Sequence, residues 1–150
     1  MTSEVMAVTP YIGSEGSPAD IPDIRSADLS AKLYFAQSAY YLLTGIWPLI
    51  SPRTFQKVTG PKTDLWLVKT VGVLVVVIGV VLGLTGARRR HAPETVVLAV
   101  GSALGLAAID IVYVAKGRIS RVYLLDALAE LLLAGMWAVA GRRQITAVED

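Results

Sequence analysis

Cysteine is absent from this chain of 150 residues, and histidine occurs once, at His91. The first absence removes disulfides, thiolate metal centres and cysteine nucleophiles. The second is a poor basis for haem or zinc ligation, so no metal or cofactor is expected. Charge is also scarce. Acidic and basic residues together make up 17% of the chain, against about a quarter in soluble domains. The net charge is only +2. The densest basic run, "ARRRH" at residues 87–91, lacks the aromatic or fold context of a nucleic-acid surface, so no nucleic-acid partner is expected.

What the chain has in plenty is apolar sequence, 54% hydrophobic with mean hydropathy +0.57, gathered in blocks. The strongest block is "LWLVKTVGVLVVVIGVVLGLTG", residues 65–86. About 20 mainly apolar residues cross a hydrocarbon core of roughly 30 Å as a helix. Residues 31–50, 95–115 and 122–140 supply three more such blocks. Backbone amides in lipid must pair within their own segment, which makes helices the natural reading. The expected fold is therefore all-α: an integral membrane four-helix bundle over residues 29–143 with short loops. Residues 1–28, rich in Ser, Gly, Pro and acids, read as a flexible N-terminal tail, and residues 144–150 as a C-terminal tail. Asp28 or Ser30 is placed to cap the first helix.

Within lipid, ionisable residues stand out. At 100° per residue, Tyr123, Asp126, Glu130, Ala134 and Trp137 form one stripe of the fourth block. In the third, Asp110 and Tyr113 share a face with Ala103 and Leu106. In the first, Tyr34, Gln37, Tyr41, Thr44 and Pro48 align, and in the second Lys69 lies on the side of Gly72, Gly79 and Gly83. Alternating helix directions put Lys69, Asp110 and Asp126 about 6–8 Å inside one membrane surface, with Glu130 deeper at about 13 Å. The expected result is a polar vestibule in one half of the bilayer, with Lys69 as a partial counter-charge.

A charge at a helix centre costs about 2.5–3.5 kcal/mol, whereas each Leu or Val returns only about 0.3–0.6 kcal/mol. Intramembrane acids are thus a functional-site hypothesis. Three acids also outnumber one lysine, so two carboxyl groups need protons, water or a bound cation. Glu130, the deepest, is expected to be protonated or to share a proton near neutral pH. The leading expectation is binding or transport of a cationic or amphipathic small molecule, possible with proton linkage, by Glu130, Asp126, Asp110 and Lys69. Tyr113, Tyr123, Tyr41, Gln37 and Thr44 supply walls and hydrogen bonds. Two alternatives stand beside it: a membrane enzyme doing acid/base chemistry on a lipid-soluble substrate, and an accessory subunit of a larger membrane complex. Neither a nucleophile motif nor a cofactor signature is present, so no catalytic residue is assigned.

The pairs Gly79/Gly83 and Gly101/Gly105 permit close helix approach. They fit either packing between the second and third blocks or a homodimer face. Trp47, Trp66, Trp137 and Tyr123 read as anchors at the lipid interface. Seven basic residues flank the blocks on the side of the termini and six on the other. The arginine cluster at 88–90 points to a cell-membrane protein with cytoplasmic termini.

Residues 40–72, "YYLLTGIWPLISPRTFQKVTGPKTDLWLVKTVG", resemble the first-to-second helix region of small bacterial four-helix membrane proteins of the DoxX-like kind. The shared spacing is a helix ending near a proline, a short glycine-bearing loop, and a glycine-containing second span. The resemblance implies a four-helix membrane fold and carries over no functional residue. Small multidrug transporters are similar in helix number, but they keep their membrane glutamate in the first helix, where this chain has no acid.

Overall fold

Helix is the state these apolar runs adopt. The computed structural model describes residues 24–89 and 92–149, with side chains for residues 28–89 and 92–142. The described residues are all-helical, without a strand: α1 (Ile24–Ile50), α2 (Pro52–Thr59), α3 (Leu65–Arg88), α4 (Pro93–Ala115) and α5 (Tyr123–Glu149). Three helices are long and apolar enough to cross a membrane, over Leu65–Arg88, Pro93–Ala115 and Tyr123–Arg142. Although α1 has the length, Gln37, Ser38 and three tyrosines leave it less apolar than these three.

The ends follow local chemistry. Pro52 and Pro93 open α2 and α4 in the first turn, where a missing N–H costs nothing. Arg89 closes α3 in the left-handed region, φ 49°, with its N–H donating to the Gly86 carbonyl. Gly117, at φ 65°, turns the chain after α4, and Arg118 N–H reaches back to the Tyr113 carbonyl.

Several expected boundaries move. The first helix starts at Ile24, so Asp28 and Ser30 lie inside it and do not cap it. Asp28 instead meets the Arg89 guanidinium at 3.6 Å. A short helix, α2, occupies the first connection, and α5 runs on to Glu149 where a C-terminal tail was expected. The expectations for residues 1–23, Arg90 and His91 lie outside the described residues.

The side chains are arranged inside out. Buried positions include Ala99, Ala103, Ala107, Ala127, Tyr34, Tyr41, Gln37 and Glu130, beside a few large apolar residues such as Leu33, Leu82 and Leu133. Exposed ones include Leu43, Leu74, Val97, Leu125, Leu128 and Leu132. So large an apolar exterior is unlike the surface of a soluble monomer. A small and polar interior beneath it is the pattern expected of helices packed in lipid, where Leu gains nothing by turning inward.

Two different interfaces hold α1. Against α3 the contact is backbone to backbone. A Cβ on Gly72 would stand 2.8 Å from the Gly45 carbonyl oxygen, and one on Gly45 would stand 2.9 Å from that of Gly72. Further along, Gly79 lies against Tyr41 and Leu42, Gly83 against Ser38, and Gly86 against Tyr34. Ser38 Oγ donates to the Gly79 carbonyl at 2.7 Å. Gly79 and Gly83 therefore face α1. Gly101 and Gly105 are on open surface, with no atom within 4 Å of an added Cβ. On its other side α1 meets α4 and α5, which pack along each other, and Ala99, Ala103, Ala107 and Ala127 are buried on them.

Gly72→Val should force α1 and α3 apart and cost about 1–3 kcal/mol. Gly101→Ala should be neutral to within about 0.5 kcal/mol. Thermal unfolding in detergent checks both, and equal effects would contradict the assigned α1–α3 seam.

Candidate functional site

Helical spacing brings polar side chains from three helices onto one seam. α1 contributes Tyr34, Gln37, Tyr40 and Tyr41, α4 contributes Thr95, Ser102 and Asp110, and α5 contributes Asp126, Glu130 and Trp137. Residues 95 and 110 are 15 positions apart on α4, so the seam runs about 22 Å along the helix axis.

At the end nearest α2, the Tyr40 hydroxyl donates to Asp126 Oδ1. Asp110 faces Asp126 carboxyl to carboxyl, within hydrogen-bond reach. Asp110 is only 7% exposed, yet among the described residues its Oδ2 finds no hydrogen-bond donor. One turn deeper, Glu130 is 1% exposed. Its Oε2 accepts from the Tyr41 hydroxyl at 3.1 Å, and the same hydroxyl lies 3.0 Å from Ser102 Oγ. Beyond Glu130 comes Gln37, fully buried. Its Nε2 donates to the Ala99 carbonyl at 2.8 Å, and its Oε1 accepts from Trp137 Nε1 at 2.9 Å. The far end is closed by Tyr34, whose hydroxyl is 2.8 Å from Thr95 Oγ1 and whose ring meets Trp137 edge-on at 4.6 Å.

The seam therefore has two halves of different chemistry. The half toward α2 holds three carboxyl groups and two phenols. The other holds an amide, an indole and hydroxyls, none of which carries charge. Glu130 and Gln37 are packed shut, whereas Tyr40 and Asp126 are half-buried at the α2 end. An open vestibule around Glu130 was expected, and the structure closes it. The apolar groove on α1, about 290 Å³ and lined by Leu42, Leu43, Ile46 and Trp47, opens on the outer surface away from the carboxyl groups.

Of the expected site residues, Asp110, Asp126, Glu130, Tyr41 and Gln37 come together. Lys69 does not. It is exposed on α3, and among the described residues no acid lies within ion-pair distance of it. The buried face of α3 is Gly72, Val75, Gly79, Leu82, Thr85 and Gly86, without Lys69, and α1 lies between α3 and α5. The lysine at this end is Lys62, from the α2–α3 connection, with Nζ 4.8 Å from the Tyr123 ring centre. Tyr113 is also misplaced: it is 46% exposed and lies beneath the Lys116 ammonium at 5.5 Å. The buried line Ala103, Ala107, Asp110 continues to half-buried Val114, four residues on from Asp110, and not to Tyr113. Thr44 spends its hydroxyl on its own helix, donating to the Tyr40 carbonyl at 2.9 Å.

Sequence reasoning passed over Tyr40 and Ser102 as site residues and read Trp137 as a lipid anchor. Trp137 is 4% exposed and faces Gln37, while Trp66, at 69%, is open to the surroundings. Its place seven residues after Glu130 was the signal. Among the described residues no group of three His, Cys, Asp or Glu side chains is arranged to hold a metal ion. No family model, curated protein or solved structure matches the chain.

Gln37→Leu keeps the volume but strands the Trp137 N–H. It should lower stability by about 1–2 kcal/mol, read as a fall in the detergent melting temperature. An unchanged melting temperature would remove Gln37 from the seam.

Proposed function

We propose that this chain is an integral membrane protein whose helices α1, α3, α4 and α5 form a four-span bundle. Its carboxyl seam binds or carries a cationic or amphipathic small molecule, in exchange with protons. The observation that carries the reading is the set of Asp110, Asp126 and Glu130, enclosed by apolar helices, with no ion pair to any basic side chain among the described residues. Acids so placed are costly unless they are neutral or matched by a cation that arrives from outside. A cation that enters must displace protons or meet bare carboxylates, and either route links its binding to pH.

In this reading α1 is the fourth span. Its modest apolarity is offset by its central place, since its polar face is turned to α4 and α5 and its small-residue face to α3. The DoxX-like spacing of residues 40–72 then marks the α1–α3 corner of a small bacterial membrane bundle, set in the cell membrane with cytoplasmic termini. The uncharged half of the seam forms a barrier between the carboxyl groups and the side of the termini. Exchange accordingly starts from the α2 end.

Proteoliposomes holding a proton gradient, with ethidium as the probe, test this. The wild type should take up ethidium as the gradient collapses. Glu130→Gln keeps the shape of the neutral acid, and it should leave the fold intact while reducing uptake about a hundredfold or more, the scale of a lost proton-transfer group. Uptake equal to that of protein-free liposomes, or unaffected by the substitution, would contradict the proposal.

A further inference from the structure

We infer that the Asp110–Asp126 pair is a recognition site for an N–H-bearing organic ammonium, a lipophilic primary or secondary amine. This rests on the carboxyl-seam reading above and narrows it. Asp110 Oδ2 is the key atom, a buried acceptor without a donor in a residue only 7% exposed. Leaving such an atom unmatched is costly, and native interiors rarely do so. Neighbouring groups offer little help. Tyr40 gives its proton to Asp126, Tyr41 gives its own to Glu130 or Ser102, and the Thr44 hydroxyl is turned to the Tyr40 carbonyl. What remains is a site rich in acceptors and negative charge, short of exactly one kind of group: a charged hydrogen-bond donor.

A primary or secondary ammonium supplies charge and N–H together. A quaternary ammonium supplies charge alone and leaves Oδ2 as it is. Metal ions ask for three or more converging ligands, an arrangement not found among the described residues. The apolar part of the ligand has aromatic surface beside the pair, because half-buried Tyr40 is bonded to Asp126 and its ring centre lies 6.1 Å from that of buried Tyr41. In the empty state a proton held between the two facing carboxyl groups relieves their mutual repulsion but supplies no donor to Oδ2. An arriving ammonium takes that proton's place and releases it, so charge balances and binding weakens as pH falls. The charged and titratable groups around the site are Asp110 on α4, Asp126, Glu130 and Tyr123 on α5, Tyr40 and Tyr41 on α1, and Lys62 in the α2–α3 connection. Lys62 stands over the Tyr123 ring, one turn from Asp126, where its charge opposes an incoming cation.

Decylamine and decyltrimethylammonium, titrated calorimetrically into the full chain in nanodiscs, provide the test. The wild type should bind decylamine at least about tenfold more tightly, equivalent to about 1.4 kcal/mol, with an enthalpy that depends on buffer ionisation because a proton leaves. Asp110→Asn should erase the preference and Asp126→Asn should weaken decylamine binding, both with the wild-type detergent melting temperature, and Lys62→Gln should tighten both ligands about two- to fivefold. Equal wild-type affinity for the two, lost in the Asp110 variant, would overturn the amine assignment and leave the carboxyl-seam function standing. Binding of neither cation would overturn both.

Discussion

Gln37 ties all three helices of the seam at a single point, as the Tyr41 hydroxyl does one turn away. From α1 Gln37 donates to the α4 backbone at Ala99 and accepts from Trp137 of α5. In water such bonds exchange with solvent and contribute little. Within an apolar slab the alternative is an unmatched polar group, at a cost of several kcal/mol by transfer to a medium without hydrogen bonds. This constraint fixes the rotation of α1. Once Gln37 faces inward, Tyr34 and Tyr41 face inward with it, and Ser38 and Gly45 turn to α3. The carboxyl groups then fall where two phenols can reach them.

The two sides of α1 accordingly differ in kind. Toward α3 the closest approach is backbone to backbone, with Gly72 and Gly45 in mutual contact and the other α3 glycines set against α1 side chains. Toward α4 and α5 the interface is made of large polar side chains, and it leaves one carboxyl oxygen unmatched. The charged half of the seam lies at the α2 end, and the uncharged lock of Gln37, Trp137 and Tyr34 lies opposite.

Much of this was legible in the residues. The three strongest apolar runs gave three helices, and the spacing of Asp126, Glu130 and Trp137 put them on one face of α5. Periodicity says which residues share a face, but not which helices meet. Lys69 was placed with the acids because its depth matched, yet α1 stands between them. Tyr113 and Val114 both follow Asp110 at helical spacing, and only packing against α5 separates them. Tyr40 and Tyr41 are adjacent in sequence, but both reach the seam because α1 is wrapped on two sides. The short helix α2 and the start of α1 at Ile24 left no apolar signal to read.

The central claim is that the polar stripe of α5 faces protein and the leucine stripe faces lipid. The absence of native cysteine makes it directly measurable by single-cysteine spin labels at positions 125, 127, 128, 132 and 134 in nanodiscs. The account predicts strong collision with oxygen, the lipid-soluble relaxant, at Leu125, Leu128 and Leu132, and low collision with both oxygen and a water-soluble nickel chelate at Ala127 and Ala134. Uniform access of the nickel chelate along the helix, or oxygen access highest at 127 and 134, would contradict it.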